Sequence, residues 1–167
     1  MALRGILATV SRPVSVSLKE FLRTGRLGPI ALGMTASEVE ALLGGQGTLA
    51  AEPSVWAYGS IELHFSRRRI FMIYADHLDP IEGDDRLLVD SWVLREGVSR
   101  HDIEHRLNGE GLEHSFHWRK AASESESDFE DLVTAGGVTL RFKLEDDGYY
   151  GSPGLLSIHI EDMTLLP

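Results

Sequence analysis

The sequence contains no cysteine, and this absence removes several classes of site at once. Disulfide bonds, thiolate metal sites and a cysteine nucleophile all require that residue. The chain also lacks the Gly-x-Ser-x-Gly turn of serine hydrolases and a glycine-rich phosphate loop ending in Lys-Ser or Lys-Thr. No acid–base pair stands out among its scattered carboxylates. We therefore expect no catalytic residues, no cofactor, no bound metal and no enzymatic activity.

Long hydrophobic runs are also missing. The apolar run at residues 5–10 is too short to cross a membrane, and Arg12-Pro13 follows it where a signal peptide would carry a small-residue cleavage site. We interpret residues 1–16 as a flexible leader and expect a cytoplasmic protein with no membrane partner. A transit peptide is the alternative for this acid-free start, which contains arginine and serine.

Positive charge is scarce and unevenly distributed. The chain has 16 Lys and Arg against 26 Asp and Glu, a formal net charge of −10. Residues 1–80 hold eight basic and seven acidic residues (net +1), whereas residues 81–167 hold eight and nineteen (net −11). This balance argues against nucleic-acid binding, which needs a basic surface. It suits a basic protein partner, although acidity can also serve solubility alone.

A capped helix is present, and it occurs twice. In residues 33–44, Thr35 and Glu38 have the spacing of a capping box, and apolar residues then recur at helical spacing until a terminal glycine. Residues 97–109 repeat the pattern, with Ser99 as the cap and a shorter acid three positions later. Both stretches are therefore predicted to be short helices.

Two strand-like blocks follow each predicted helix in the same order. Residues 59–65 alternate between apolar and polar and end on phenylalanine, as do residues 136–142. Residues 70–76 are similarly matched by residues 155–161. Three matched blocks in one order predict a tandem repeat. The predicted fold is α+β, with two tandem repeats that each place short helices before an antiparallel sheet of about four strands.

The boundary between the predicted repeats is an acidic loop containing proline and glycine, at residues 76–86. We place the first αβ repeat at residues 17–80 and the second, acidic αβ repeat at 81–167, with one continuous domain as the alternative. Apolar residues at helical spacing, followed by Gly25, predict a helix at 17–24. Strands are predicted near 54–58, 61–66, 69–75, 87–94, 112–119, 131–135, 137–144 and 154–162.

Three histidines fall on the polar side of predicted strands: His64, His117 and His159. If these strands share a sheet, the imidazoles lie on one open face together with Glu62, Glu113, Arg141 and Glu161. We predict that this face binds a protein partner. The alternatives are ordinary surface positions and a three-histidine zinc site, since imidazole is a common zinc ligand.

A second histidine pair lies on the second predicted helix. His101 and His105 are four residues apart, a spacing that can hold zinc from one helix face. The residues between them show no hydrolytic zinc motif, and no third ligand is evident. We expect both histidines to face solvent.

Two aromatic residues extend the predicted partner-binding set. Trp56 and Tyr58 are two residues apart on a predicted strand, so their side chains share a face. Tryptophan and tyrosine often dominate the binding energy of protein interfaces. For Trp92 and Trp118 we expect core packing instead.

An exposed acidic loop is predicted at residues 121–131, where serine alternates with acid. Its carboxylates complete the predicted set, because a loop of this charge attracts a basic partner. They are Glu124, Glu126 and Asp128.

The motif Gly-Met-Thr-x-x-Glu-Val-x-x-Leu-Leu-Gly at residues 33–44, between a short helix and antiparallel strands, resembles the unit shared by SmpA/OmlA-type outer-membrane lipoproteins and the β-lactamase inhibitory protein. This resemblance implies a duplicated α+β fold whose sheet grips another protein. Residues 17–76 are also similar to bacterial immunity proteins of polymorphic toxin systems. The chain has neither the lipid-attachment cysteine nor the disulfide cysteines of the former families, and none of their contact residues carries over.

These observations predict a non-catalytic protein-binding module. We expect an immunity-type inhibitor that occludes a basic toxin or enzyme, since this task needs shape and charge complementarity rather than chemistry. The alternative is a structural or envelope assembly protein that binds its own kind. A small metal-dependent enzyme using the sheet-face histidines is a third hypothesis.

Overall fold

The computed structural model describes residues 12–44, 54–119, 129–143 and 154–166 of the chain. Within these ranges it combines short α-helices with a large antiparallel sheet, so the predicted α+β class is confirmed. The helices are α1 (Leu18–Thr24), α2 (Ala36–Leu43) and α3 (Arg100–Gly109), with a 3-10 helix at Met163–Leu165. The strands are β1 (Val14–Ser17), β2 (Ser54–Tyr58), β3 (Ile61–Ser66), β4 (Arg69–Ala75), β5 (Leu87–Asp90), β6 (His114–Arg119), β7 (Phe129–Thr134), β8 (Thr139–Lys143) and β9 (Gly154–Glu161).

Seven of these strands form one antiparallel sheet in the order β2-β3-β4-β9-β8-β7-β6. The first half of the chain supplies the meander β2-β3-β4, and the second half supplies the meander β6-β7-β8-β9. The meanders join where β4 pairs with β9, with Ala75 opposite Ile158 and Met72 opposite Glu161. The two predicted units therefore share one sheet, while their origin as tandem repeats stays a prediction.

A second, small sheet pairs β1 with β5 in parallel, with Val14 opposite Leu87 and Ser17 opposite Asp90. The predicted flexible leader at residues 1–16 is therefore wrong for its last three residues, which lie in β1. Residues 1–11 of that leader lie outside the described residues. A strand of four residues is too short to show a clear period, and its partner lies 73 positions later in the chain.

The predicted caps form as their spacing indicates. The Thr35 hydroxyl accepts a hydrogen bond from the Glu38 amide (3.3 Å), and the Glu38 carboxylate accepts one from the Thr35 amide (2.7 Å). At α3, the Ser99 hydroxyl accepts from the Asp102 amide (3.1 Å). These contacts satisfy backbone donors that have no partner within the first turn of a helix.

Most strand bounds agree with the sequence pattern, and β2, β3 and β4 match the predicted strands at 54–58, 61–66 and 69–75. β5 is shorter than the predicted 87–94, because Trp92 adopts a φ of 56° and the chain turns after Asp90. β7 begins at Phe129, so the last three residues of the predicted loop at 121–131 belong to a strand.

One hydrophobic cluster joins the helices to one face of the large sheet. Both halves of the chain contribute to it, so the burial of apolar surface stabilises them as one unit. Its fully buried members include Leu22 of α1, Val39 of α2, Ile103 of α3, and Leu63, Phe65 and Leu140 of the sheet.

The end of α1 lies directly against the turn between β7 and β8. A Cβ atom on Gly136 would be 2.4 Å from the Gly25 nitrogen and 2.7 Å from the Leu22 carbonyl oxygen. Gly25 itself ends the helix with a φ of 70°. The Thr134 hydroxyl donates to the same Leu22 carbonyl (2.6 Å). This approach of two backbones fixes α1 against the second meander.

We predict that Gly136→Ala lowers the free energy of unfolding by about 1–3 kcal/mol, because the methyl group has no space between the two backbones. Urea unfolding measures the change. Gly109→Ala is the matched control, since a Cβ atom there meets nothing within 4 Å. Equal stability of the two variants would contradict the close approach.

Candidate functional site on the sheet face

The side of the large sheet that faces away from the hydrophobic cluster carries polar and aromatic side chains, and we call it the open face. Side chains alternate between the two faces of a strand, so every second residue reaches it. Its members include Glu62, His64, Met72, Tyr74, Ser115, His117, Asp131, Thr139, Arg141, Ser157, His159 and Glu161. Of these, Asp131, Ser157 and His159 are buried, with exposed fractions of 2%, 4% and 8%, and the others are partly or fully exposed.

The strand register aligns these residues in two adjacent rows. Residues directly opposite each other on neighbouring strands are close enough for side-chain contact. The first row contains Glu62, Tyr74, His159 and Thr139. The second row contains His117, Asp131, Arg141 and Ser157.

Aromatic rings from three strands meet near the centre of the open face. The rings of His64 and Tyr74 have centroids 6.0 Å apart at an interplanar angle of 84°, and those of Tyr74 and His159 are 6.2 Å apart at 42°. Phe71 lies 6.2 Å from the His64 ring, and the Glu62 carboxylate is 2.8 Å from its Nε2 atom. Such edge-to-face and tilted contacts favour fixed ring positions.

An ion pair lies next to this aromatic cluster. Arg141 donates to Asp131 through Nε (2.8 Å) and through its terminal nitrogen (3.0 Å), a bidentate geometry. Asp131 is only 2% exposed, and its hydrogen bond raises the pKa of Arg141 above the ordinary value. The Arg141 guanidinium also lies 5.7 Å from the centre of the Phe129 ring. Bidentate pairing orients the guanidinium as well as stabilising it.

Tyr74 belongs to the aromatic cluster, and it is close enough to the ion pair for the charge of Arg141 to act on its phenol. Burial raises the pKa of its phenol, and the negative charge of Asp76 raises it further. A hydrogen bond with Ser157 acts in the opposite direction. The Tyr74 hydroxyl is therefore neutral at physiological pH and can offer a proton to an acceptor on a partner.

The three histidines of the open face do not converge. His64 and His159 flank Tyr74, whereas His117 lies on β6, three strands beyond β9 in the sheet order. Among the described residues, no group of three or more histidine, aspartate or glutamate side chains is arranged to hold a metal ion. Within the described part of the chain, the three sheet-face histidines are therefore not arranged as a zinc site. The pair His101 and His105 likewise has no third ligand beside it there.

Trp56 and Tyr58 share a face, as their spacing requires, but it is the core face. Their exposed fractions are 5% and 0%, and the Tyr58 hydroxyl donates to the Gly44 carbonyl (3.0 Å). The prediction that they contact a partner is therefore wrong. Alternation shows which side chains of a strand point the same way, but not which face the helices cover.

The remaining predicted residues lie in different surroundings. Glu113 is exposed just before β6, and its carbonyl accepts from the Ala135 amide (2.9 Å). Trp118 is 61% exposed, so the expectation of core packing is wrong for it, whereas Trp92 does pack against the core. The predicted acidic contacts fall in a segment outside the described residues; they are Glu124, Glu126 and Asp128.

Carboxylates concentrate at one end of the sheet, which we call the acidic end. Four strand ends meet there, with Arg119 opposite Phe129, Phe129 opposite Lys143 and Lys143 opposite Gly154. β4 runs toward the same end because it is antiparallel to β9. The segment at residues 76–86 follows β4 and carries five carboxylates and one arginine.

That segment is anchored to the sheet by Arg86. Its guanidinium is held by Asp84 (Nε to Oδ2, 2.9 Å) and lies 4.7 Å from the centre of the Tyr58 ring. Asp84 also accepts from the Leu87 amide (3.2 Å), and although partial burial acts against it, hydrogen bonds from Arg86 lower the pKa of this carboxyl. The acidic segment therefore has a defined position beside the sheet.

Tyr74, Asp131 and Ser157 were not singled out by the sequence pattern. Tyr74 lies in an apolar stretch that predicts a strand covered on both faces, and Asp131 falls within a predicted loop. The position of Tyr74 in the strand could have identified it. Tyr74 follows Met72 at a spacing of two, so both side chains lie on the face opposite that of Ile73. Only the register with β3 and β9 shows that Tyr74 lies beside Glu62 and His159.

Comparison with known proteins adds no relative, since no protein-family model, curated protein or solved structure matches the chain. The described helices are all too short or too polar to span a membrane.

We predict that Asp76→Asn lowers the pKa of Tyr74 toward the ordinary tyrosine value, because it removes a nearby negative charge that disfavours the phenolate. NMR titration of carbon-labelled tyrosine measures the pKa. Asp79→Asn is the matched control and should leave it unchanged. An unchanged pKa in the Asp76 variant would contradict the position of Tyr74.

Tyr58 gives a prediction about alkaline stability. Burial raises its pKa to about 12 from the ordinary tyrosine value of 10.0. Because the folded protein holds this proton more tightly than the unfolded chain, the associated stability is complete below about pH 10 and is lost as the pH rises toward about 12. Tyr58→Phe should therefore be less stable than wild type near neutral pH, by about 1 kcal/mol for the lost hydrogen bond.

The difference should shrink or reverse in alkaline solution, because phenylalanine has no proton to lose. Urea unfolding of both proteins at neutral pH and at about pH 10.5 tests this. A constant difference between the two proteins would show that Tyr58 does not titrate in this way.

Proposed function

We propose that this protein is a non-catalytic protein-binding module whose binding surface is the open face together with the acidic end. The observation that carries the proposal is the fixed cluster of His64, Tyr74 and His159 beside the Arg141–Asp131 ion pair. Tyrosine and arginine are enriched among the residues that dominate interface energies. Side chains already held on strands lose little further freedom when a partner docks.

The partner that fits this surface is a basic protein. The described segment at 76–86 has a net charge of −4, from five carboxylates and one arginine. β6 and β8 end at the same end of the sheet, and the sequence between β6 and β7 and between β8 and β9 contains six carboxylates and one lysine. Charge of one sign at one end steers a basic partner during approach and rejects acidic ones.

The activity we infer is occlusion. A protein that binds through a sheet face and a charged rim can cover the working surface of a basic toxin or enzyme without any chemistry of its own. This is the action of an immunity-type inhibitor.

We also propose that the two halves are tandem repeats. Support comes from the equivalent positions of the matched blocks: α2 precedes β3 and β4, as α3 precedes β8 and β9. The last strand of each half then pairs with the last strand of the other. Duplication of a sheet-forming unit would double the width of the binding face.

The test is retention of a protein from an extract of the native host, using the full chain and two charge-reversal variants as bait. Glu161→Lys changes the open face, whereas Glu40→Lys makes the same change at an exposed position of α2. We expect wild type and Glu40→Lys to retain one basic protein, and Glu161→Lys to bind it at least about tenfold more weakly.

Salt gives a second readout. Added salt screens exposed charges, so the association rate with the retained protein should fall as ionic strength rises. Binding through this surface would be refuted if the retained protein bound all three baits equally. It would also be refuted if the association rate did not change with ionic strength.

A further inference from the structure

β6 is an edge strand without the usual protection against pairing. Among the described residues it pairs with β7 alone, and it ends the sheet order. Natural edge strands carry proline, bulges or inward-pointing charges that discourage a second strand. β6 has no proline, and its register with β7 runs without interruption from His114 to Arg119.

The backbone of β6 offers hydrogen bonds at alternate residues. The Glu113 carbonyl accepts from the Ala135 amide (2.9 Å), so it points toward β7. In an antiparallel ladder, alternate residues direct both backbone groups to the same side. His114, Phe116 and Trp118 therefore direct their backbone N–H and C=O groups away from β7, toward the edge.

The side chains on the helix side of this edge are aromatic. Trp118 is 61% exposed, the largest exposed fraction among the large hydrophobic residues described as exposed. Phe116 is half-buried, with the Arg100 guanidinium 4.6 Å from the centre of its ring. An exposed tryptophan on an unpaired strand is typical of a surface that another chain covers.

We propose that a second copy of this chain pairs with β6 through an antiparallel two-fold contact centred on Phe116. In this register Phe116 faces its own counterpart, and His114 faces Trp118 of the second copy. Ser115 faces His117 of the second copy. Glu113 faces Arg119 of the second copy, so residues of opposite formal charge meet at both ends of the contact. A two-fold interface requires this self-complementarity.

The surface next to β6 also has room for the exposed tryptophan. An open depression of about 590 Å³ is lined by Asn108, Gly111, Leu112, Glu113 and His114. It lies where α3 ends and β6 begins. The proposed register brings Trp118 of the second copy opposite His114, at the edge of this depression. Aromatic cross-strand pairs and opposite charges both stabilise neighbouring strands.

The other edge of the sheet fits a second copy less well. β2 carries Val55 as an exposed apolar residue, but it has no charged residue to set a register. Its aromatic residues, Trp56 and Tyr58, are buried. The contact through β6 involves the open face only at Ser115 and His117, and the rest of that face lies on other strands, so this inference is independent of the proposed function.

The experiment is a charge swap on the full chain, with association measured by sedimentation velocity over a wide concentration range. The wild type should show a reversible monomer–dimer equilibrium. Glu113→Lys and Arg119→Glu should each weaken dimerisation by at least about tenfold, because like charges then meet at both ends of the register. The double variant should recover the wild-type affinity to within about threefold, since the opposite charges are restored in exchanged positions.

Two further variants complete the test. Trp118→Ala should weaken the dimer, and circular dichroism should show an unchanged fold because the side chain is exposed. Val55→Lys, on the opposite edge, should leave the dimer intact. A monomer at every concentration, a double variant no tighter than the single ones, or loss of the dimer in Val55→Lys would each overturn the proposal.

Discussion

The antiparallel pairing of β4 with β9 is the contact on which the rest of the structure depends. It joins the last strand of each half and so turns a three-stranded and a four-stranded meander into one sheet. Tyr74 and His159 become direct neighbours through this pairing, although they are 85 positions apart along the chain. Without it, neither the aromatic cluster nor a continuous face would exist.

The same antiparallel order explains where the charges lie. In a meander every second connection returns to the same end of the sheet, so the chain following β4, β6 and β8 leaves from one end. The described segment at residues 76–86 follows β4 and carries five carboxylates and one arginine, so it adds net negative charge at that end of the sheet.

The large sheet presents two surfaces with different physical character. The open face has polar and aromatic groups fixed by an ion pair and ring contacts, which suits recognition of a partner without catalysis. The β6 edge pairs with no strand other than β7 within the described part of the chain, and it carries an exposed tryptophan, which suits addition of another strand. The two surfaces meet along β6, where Ser115 and His117 belong to both, but most of the open face lies on β3, β4, β8 and β9. The inhibitor hypothesis and self-association through the edge are therefore compatible in one molecule.

Local features of the fold were predictable from the sequence. The capping box at Thr35 and the strand bounds of β2, β3 and β4 follow from contacts between residues close in the chain. β1 was not predictable, because four residues carry no clear period and their partner strand is distant. The candidate site was predictable in part: alternation grouped His64 with Glu62, but it also led to Trp56 and Tyr58, which the core buries.

The sequence by itself determined the α+β class, most of the helices and strands, and which side chains share a face of each strand. These properties depend on periodicity and capping, which act over a few residues. Only the tertiary structure decided which face the helices cover, which strands are neighbours and which strand is left at the edge. Those choices depend on the burial of apolar surface by segments far apart in the chain, and no local pattern records that arrangement.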